Sequence, residues 1–409
     1  MYESVSGFFS EALVSLKYRN MRFYCTAATI SLLGSMMQES MIAWLAYQLT
    51  GSTAVLGNIM SWFMLPMIAA SIAGGWLSDR VNRQRIVITT QTIALGVALA
   101  YMTMALGGLL SVQVIYGLSA LLGVTVAFEM SARMAMLPQL VEAEHIGNAF
   151  ALDSLIFYAC RLLGPALGAI FLALTGPAGG FAGNALSYVL EIVLLFNLAP
   201  AVVPSPGEKA TLREAFAFAY GEKRRRRVLL LLALTTFFGV YIQLMPAFTA
   251  MRHGGVFANA FLILASEVGA VIASLLVAYK TADKDFVAAL RQGIGWAGVL
   301  FAVCFFAFSL TSNLWLSLVL MVPIGFAMSA IFAGSQAVLQ VEVEDRVRGA
   351  FTAMFYNFSY FGMLALGGPI LGHIADWFGL TAMVSIAGIL TALGSTIYLV
   401  LEGRQKVSA

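Results

Sequence analysis

The feature that most constrains this chain is a series of apolar runs, each long enough to cross a membrane, that recurs from one end to the other. A helix of about 20 apolar residues spans a hydrocarbon core of about 30 Å. Only helices and closed barrels satisfy their backbone there, and the runs lack the alternation that a barrel requires. Charged residues make up only 11% of the chain, against about a quarter in soluble domains. The sequence therefore predicts an all-α polytopic membrane protein.

We count twelve predicted spans. They cover residues 23–48, 54–77, 86–107, 112–136, 148–173, 180–200, 228–251, 257–279, 292–311, 315–340, 349–374 and 379–401. With the N-terminus in the cytoplasm, 21 of the 23 Lys and Arg residues lie on the cytoplasmic side, because only Arg161 and Arg252 fall elsewhere. The positive-inside rule therefore predicts cytoplasmic N- and C-termini.

The twelve spans divide into two halves of six. We predict an N-terminal half over residues 1–200, a cytoplasmic linker over 201–227 and a C-terminal half over 228–409. Leu212, Phe216 and Tyr220 recur every four residues, which indicates a short interfacial helix in the linker. The basic run that ends the linker, Lys223 and Arg224 to Arg227, is interpreted as a topological anchor rather than a nucleic-acid site.

The two halves contain similar motifs. PQLVEAEHIGNAF followed by GPALG at 164–168 is matched about two hundred residues later by LQVEVEDRVRGAF followed by GPILG at 368–372. Two pseudo-symmetric six-helix halves are typical of transporters, with the substrate site between the halves.

A charged loop, GGWLSDRVNRQR at residues 74–85, joins spans two and three. It resembles the loop signature of the major facilitator superfamily, Gly-x-x-x-Asp-Arg-x-Gly-Arg-Arg, of which Gly75, Asp79, Arg80 and Arg83 match. The resemblance implies a twelve-span transporter that works by alternating access. We interpret the loop as a conformational latch, in which Arg133 and Glu142 at the end of span four complete a cytoplasmic charge network. The alternative is a topology signal only.

Span five carries Arg161, Gly164, Pro165 and Gly168 in the stretch RLLGPALGA. This stretch resembles the Gly-Pro-x-x-Gly-Gly element of the superfamily's proton-driven exporters, with Ala169 in place of the last glycine. The wider region resembles the branch that includes macrolide and siderophore exporters. The resemblance implies export, whereas helix packing alone is the other interpretation of the small residues.

Ionisable residues inside membrane spans are functional candidates, because burying their charge is costly. Those in the predicted spans are Glu39, Glu129, Arg133, Asp153, Arg161, Glu191 and Glu267. The candidates for proton coupling or substrate binding are Glu39, Glu129, Asp153, Arg161 and Glu267. Glu129 and Arg133 are four residues apart on one helix face and can neutralise each other instead. We expect Glu267, which is flanked by small residues, to lie with little bulk between it and the central cavity. It or Glu39 then cycles a proton or binds a cationic substrate.

The predicted cavity is mostly apolar, and its polar candidates are Gln38, Tyr241, Gln243, Tyr356 and Asn357. The scarcity of fixed positive charge in mid-membrane favours an amphipathic or cationic organic substrate, of the drug or siderophore type. A lysophospholipid flippase or a metal-ion exporter of the same fold is the alternative.

The remaining function classes are disfavoured. The sequence has three His residues and lacks a nucleotide-binding glycine loop, so we predict neither an enzyme nor a bound cofactor or metal. The expected partners are a small-molecule substrate, protons and membrane lipid, with no nucleic acid, and the expected state is a monomer. The expected location is a bacterial inner membrane.

Overall fold

A computed structural model describes residues 14–198, 211–280 and 284–407. In these ranges the chain is helical, with no β-strand, and the fold is that of an all-α polytopic membrane protein with twelve transmembrane helices in two six-helix halves. Ten of the described helices are long and apolar enough to cross a membrane, and one of these, 143–196, holds two spans. Helix Arg19–Thr50 coincides with predicted span one but is not among these ten.

The first six spans agree with the sequence prediction to within a few residues. Spans two, three and four are helices Thr53–Ser78, Arg83–Leu106 and Val112–Met136. Spans five and six form one helical stretch, Ile146–Phe196, which is broken at Gly176 with φ 69° and continues through Pro177. This left-handed backbone conformation favours glycine, so the break falls where the sequence prediction separates the two spans.

The predicted linker is described from residue 211 onward, and residues 199–210 lie outside the described ranges. The predicted short helix forms at Leu212–Gly221 and starts with a capping box between Thr211 and Glu214. The basic run then opens the next helix, so Lys223 to Arg227 belong to the first turns of span seven.

Four of the last six spans are uninterrupted. Spans eight, nine and ten are helices Val256–Lys280, Lys284–Leu310 and Leu314–Gln340. Span twelve is helix Leu380–Val407.

Spans seven and eleven are not simple α-helices. Span seven consists of Lys223–Phe238 and Tyr241–Arg252, which are separated at Gly239. Span eleven consists of Asp345–Met354 and Gly362–Phe378, joined by a π-helix at Phe355–Phe361. Single π-helical turns are frequent at functional sites.

The helices group into two compact units. The first unit comprises Met1–Leu45 and Leu65–Ser205, and the second comprises Ala46–Met64 and Pro206–Ala409. The N-terminal part of span two therefore packs within the second unit, although the sequence order assigns it to the first half.

Each unit has an apolar core of its own. In the first unit Tyr24, Met136 and Leu195 are almost fully buried against one another. In the second unit Phe301, Phe305 and Phe308 of span nine pack around Phe248 of span seven.

Candidate functional site

The loop between spans two and three is held by backbone contacts. Asn82 caps span three, because its Oδ1 accepts a hydrogen bond from the Arg85 backbone N–H at 3.2 Å. Arg83 donates to the carbonyls of Ser78 at 3.3 Å and Ala135 at 2.8 Å, which ties the loop to the end of span four. Arg80 is exposed and its guanidinium lies 4.2 Å from the centre of the Trp76 ring.

The remaining groups assigned to the latch lie in different surroundings. Asp79 and Glu142 are exposed, and a Cβ added to Gly75 would lie in open space. The close helix contact is made by the preceding Gly74, where a Cβ would lie 2.9 Å from the Ala127 carbonyl oxygen in span four. Arg133 is directed into the first unit and is 8% exposed, so it does not lie on the cytoplasmic surface as we expected.

Arg133 is the centre of a buried charge cluster, which we define as Glu129, Arg133 and Glu191. Its Nε lies 2.6 Å from Glu129 Oε1, which confirms the predicted pairing along span four. Its Nη2 pairs with Glu191 Oε1 in span six. Gln91 of span three donates from Nε2 to Glu129 Oε1 at 2.8 Å. Three spans are thus tied together around one guanidinium.

Tyr24 and Asp153 extend the cluster to spans one and five. The Tyr24 ring lies under the Arg133 guanidinium, 5.8 Å from its centre, and the Tyr24 hydroxyl donates to Asp153 Oδ1 at 2.7 Å. Tyr24 is 1% exposed and the side chain of Glu191 is fully buried. Five of the six spans of the first half therefore contribute a polar group to one buried network.

The cluster holds more acid than base. Two carboxylates surround one guanidinium, so the three groups sum to a charge of −1 when all are ionised. Arginine does not lose its proton in proteins, and an uncompensated buried charge costs several kcal/mol. Within the described part of the chain, Glu191 Oε2 and Arg133 Nη1 are buried without a hydrogen-bond partner. Uptake of one proton by a carboxylate removes the excess charge.

Glu267 lies in the second unit and is 3% exposed. Its neighbour Ser266 is hydrogen-bonded to the Tyr241 hydroxyl at 2.7 Å. Spans eight and ten approach each other with backbone contact at Gly269 and Gly325. The expectation that little bulk shields Glu267 is therefore corrected, because its side chain is buried.

Two of the predicted cavity residues, Gln38 and Tyr241, lie in helix contacts rather than at a cavity wall. Gln38 is 3% exposed and its Oε1 accepts a hydrogen bond from Asn184 Nδ2 at 2.9 Å. Tyr241 is 4% exposed and packs near Phe301 and Phe305. The sequence around a polar residue cannot show whether it lies in a helix contact or at a cavity wall, because its polar group finds a hydrogen-bond partner in either place.

The other candidates are more accessible. Glu39 is exposed, whereas Arg161, Gln243, Tyr356 and Asn357 are half-buried.

The half-buried Tyr356 and Asn357 belong to the π-helix of span eleven. Phe332 of span ten lies 5.5 Å from the Tyr356 ring centre and 4.5 Å from that of Tyr360. Gln336 donates to the Tyr356 hydroxyl at 3.2 Å. Spans ten and eleven therefore present aromatic rings together with one amide group.

The glycines of span five pack on span one. A Cβ on Gly168 would lie 2.9 Å from the Met37 carbonyl oxygen, and one on Gly164 would overlap Met36. Pro165 between them is buried. The motif therefore has a packing function in the first unit.

Glu142, Glu144 and His145 place ligand atoms within 4.8 Å of one another in the segment between spans four and five. Both carboxylates are exposed, and His145 Nδ1 already lies 3.0 Å from the Tyr18 hydroxyl. Exposed acidic groups of this kind are common on protein surfaces, so we assign no metal site to them.

Gln91 and Tyr24 are absent from the residues selected by sequence, whereas Glu191 is among the ionisable residues predicted within spans. Glu191 carried a usable signal, since it is an acid within a span. Gln91 and Tyr24 carried none, because a single amide or phenol in an apolar helix has many unrelated explanations.

Known structures with the same helix arrangement are transporters. A bacterial homologue of the human lysosomal transporter Spinster, in an inward-facing and unoccupied conformation, aligns with a TM-score of 0.71 and 15% identity over 94% of this chain and 95% of its own. The POT-family transporter PepTSo aligns with a TM-score of 0.74 and 11% identity over 95% and 98%. At these identities the two likenesses show the fold alone.

The chain belongs to the transmembrane secretion effector family, whose model matches residues 10–408. It is therefore a transporter of the major facilitator superfamily rather than an enzyme. The staphyloferrin A transporter of Staphylococcus aureus is 23% identical over 94% of this chain and 97% of its own length. The enterobactin exporter of Citrobacter koseri is 25% identical over 84% of each chain. The fosmidomycin resistance protein of Escherichia coli is 26% identical over 60% of each.

Proposed function

We propose that this transporter exports a small amphipathic organic molecule, of the siderophore or drug type, in exchange for protons. Relatives that align along most of the chain are named for siderophores, and one is an exporter by name. The half-buried aromatic side chains of spans ten and eleven suit an organic substrate with apolar surface.

The observation that carries proton coupling is the acid excess of the Glu129, Arg133 and Glu191 cluster. With one proton bound the cluster is neutral, and without it the cluster holds a buried negative charge. The titratable groups around Glu191 are Glu129, Arg133 and Tyr188, with Tyr24 and Asp153 beyond the guanidinium. The cluster with a proton bound and the cluster without it differ by one unit of charge. Such a difference can bias a conformational equilibrium.

Glu267 is the coupling candidate of the second unit. It is an acid within span eight that is 3% exposed, and such residues inside a membrane span are candidates for carrying a proton. Glu39, which is exposed, is the candidate for direct contact with a cationic substrate.

The loop between spans two and three is proposed to act as the latch of the cycle, with Asp79 as its acidic member. Asp79→Asn should preserve membrane insertion and lower turnover, because a neutral amide binds arginine more weakly than a carboxylate does. Unchanged turnover in correctly inserted protein contradicts this assignment.

We further propose that the protein is a monomer in a bacterial inner membrane with both termini in the cytoplasm. Cysteines placed by Ser52→Cys and Gly176→Cys should react with an impermeant maleimide from outside the cell. Those placed by Asn82→Cys and Ser205→Cys should react only after permeabilisation. The reverse labelling pattern contradicts this orientation.

Everted membrane vesicles test the proposed function. The vesicles are loaded with acidic buffer and then diluted into alkaline buffer that contains enterobactin, staphyloferrin A or fosmidomycin. Uptake of the compound into the vesicles is followed by mass spectrometry. We expect uphill accumulation of at least one of these compounds and its loss when an ionophore collapses the gradient. Accumulation that survives the ionophore contradicts proton coupling.

Glu191→Gln and Glu267→Gln locate the coupling group. Glutamine mimics the protonated carboxyl, so a coupling variant should abolish uphill accumulation and retain downhill exchange. Glu344→Gln, an exposed acid between spans ten and eleven, is the matched control and should behave like the parent. If both buried variants still concentrate the compound, coupling through these carboxyls is excluded.

A further inference from the structure

The N-terminal segment of span two, residues 52–64, is attached to the far end of span eleven by one carboxylate. Asp376 Oδ2 accepts hydrogen bonds from the Ser52 hydroxyl at 2.5 Å and from the Ala54 backbone N–H at 3.1 Å. Its Oδ1 accepts from the Thr53 backbone N–H at 2.7 Å. The first N–H groups of a helix have no intrahelical partner and form its positive end. Asp376 therefore caps a helix that is more than 300 residues away in sequence.

The helix faces below this cap fit closely. A Cβ on Gly372 would lie 2.7 Å from the Thr53 carbonyl oxygen, and Gly57 and Gly368 are in backbone contact. One turn further along, the Ser61 hydroxyl donates to the Ala365 carbonyl. The glycines of the second GPxLG motif thus form the surface on which this segment rests.

Span two changes partners in its middle. Residues up to Met64 belong to the second unit and residues from Leu65 belong to the first, although the helix Thr53–Ser78 is continuous. Pro66 lies two residues beyond the change. Proline cannot donate the helical hydrogen bond and weakens the helix at that position.

We propose that Asp376 is a positioning residue that clamps the N-terminal segment of span two to span eleven, and that span two bends at Pro66 when the clamp releases. The three hydrogen bonds need an ionised carboxylate as a triple acceptor. Asparagine keeps one carbonyl oxygen and presents an amide that cannot accept from Ser52 or Ala54. Asp376 is solvent-exposed, so the clamp is strong enough to favour one arrangement and weak enough to open during a transport cycle.

Cysteine reactivity in purified, nanodisc-embedded protein tests the clamp. The reporter is Ala54→Cys, at a position that is 7% exposed, in a background with Cys25, Cys160 and Cys304 replaced by Ser. Adding Asp376→Asn should raise the rate of maleimide labelling by about tenfold, because it removes two charge-assisted hydrogen bonds. Adding Ser52→Ala instead should raise the rate by about threefold, because it removes one such bond. A labelling rate that does not change overturns the clamp.

A second reporter distinguishes local opening from general loosening. Ala387→Cys in span twelve is at a fully buried position, and its labelling should stay slow in every variant. Equal acceleration at both reporters overturns the proposal. If Asp376→Asn fails to insert, the labelling rates of the two reporters are compared in the Ser52→Ala variant, for which the expected increase at Ala54→Cys is smaller.

The role of Pro66 is tested in combination with the clamp. Pro66→Ala restores a helical donor, so it should reduce the labelling of Ala54→Cys in the Asp376→Asn background by about threefold. In the parent, where the clamp is closed, it should have little effect. If Pro66→Ala does not change labelling in the Asp376→Asn background, the bend is not at this residue.

Discussion

In the first unit Arg133 faces two glutamates, whereas in the second unit Arg225 and Arg291 share Glu222 and Glu342. The second set has two acids and two bases and is therefore neutral with all groups ionised. The first set is neutral only with a proton bound. The same kinds of residues thus form a balanced set in one unit and an unbalanced set in the other.

The two sets also differ in their contact with solvent. The side chain of Glu191 is 0% exposed and that of Arg133 is 9% exposed, whereas Glu342 is 28% and Glu222 is 50% exposed. Water reaches both acids of the balanced set and weakens their ion pairs, although Arg291 itself is 5% exposed. The unbalanced set is shielded from water, so its charge state has a large energetic effect. This difference separates a structural cluster from a candidate for proton binding.

Arg133→Met has the largest expected effect. It leaves the fully buried Glu191 and the half-buried Glu129 without their cation, and breaking a buried ion pair in this way costs about 3–5 kcal/mol. We expect a lower midpoint of thermal unfolding in detergent and a smaller monodisperse fraction. Adding Glu191→Gln should recover part of the loss, and the exposed Arg226→Met is the control. If Arg133→Met alone is as stable as the parent, the two carboxylates do not depend on the arginine for their charge balance, and the proposed acid excess of the cluster is contradicted.

Glu342→Gln breaks the balanced set. Arg291 is 5% exposed and loses its carboxylate partner, but the glutamine oxygen still accepts a hydrogen bond, so we expect a loss of about 1–3 kcal/mol in the free energy of unfolding. Gradient-driven accumulation in everted vesicles should persist. If this variant uncouples transport as Glu191→Gln is expected to do, the distinction between the two sets is lost.

The repeated GPxLG motif permits the same comparison for uncharged contacts. Gly168→Ala in the first unit and Gly372→Ala in the second each place a methyl group within 3 Å of a backbone carbonyl. Each should lower the free energy of unfolding by about 1–2 kcal/mol through overpacking. Gly96→Ala, where a Cβ meets open space, is the matched control and should be neutral or stabilising. Equal stability of all three variants contradicts the close packing.

The smallest effect concerns Glu214 in the short helix Leu212–Gly221. The Thr211 backbone N–H, followed by Arg346 and the Thr211 hydroxyl, holds the pKa of this carboxyl below its usual range. A lowered pKa stabilises the folded helix at a pH above the ordinary value for glutamate. The contribution is lost as the pH falls through the depressed pKa.

Hydrogen exchange of residues 212–221 as a function of pH measures this effect. Protection should decrease on acidification in the parent, and Glu214→Gln, which keeps the capping geometry without the charge, should remove that dependence. Glu344→Gln should leave it intact. Identical pH profiles for the parent and Glu214→Gln rule out this role.

Glu129 and Arg133 illustrate what could be predicted for the site. Their i, i+4 spacing fixes them on one helix face, so their pairing followed from local geometry. Glu191 joins them from span six, 58 residues beyond Arg133, and helical periodicity does not specify which face of span six meets span four. The same limitation applies to Glu267, where the small neighbours that suggested access instead permit the backbone contact of spans eight and ten.

The sequence by itself determined the class of protein, the twelve spans and the separation of spans five and six between residues 173 and 180, because hydrocarbon imposes length and polarity requirements that each segment must meet alone. The tertiary structure decided which acids share Arg133, and it decided that the start of span two rests on Asp376 and the second GPxLG motif. Those contacts join residues far apart in sequence, and they depend on how small side chains let two helix backbones approach. In an apolar chain many helix faces are equally hydrophobic, so steric fit and the few buried polar groups determine which faces pack together.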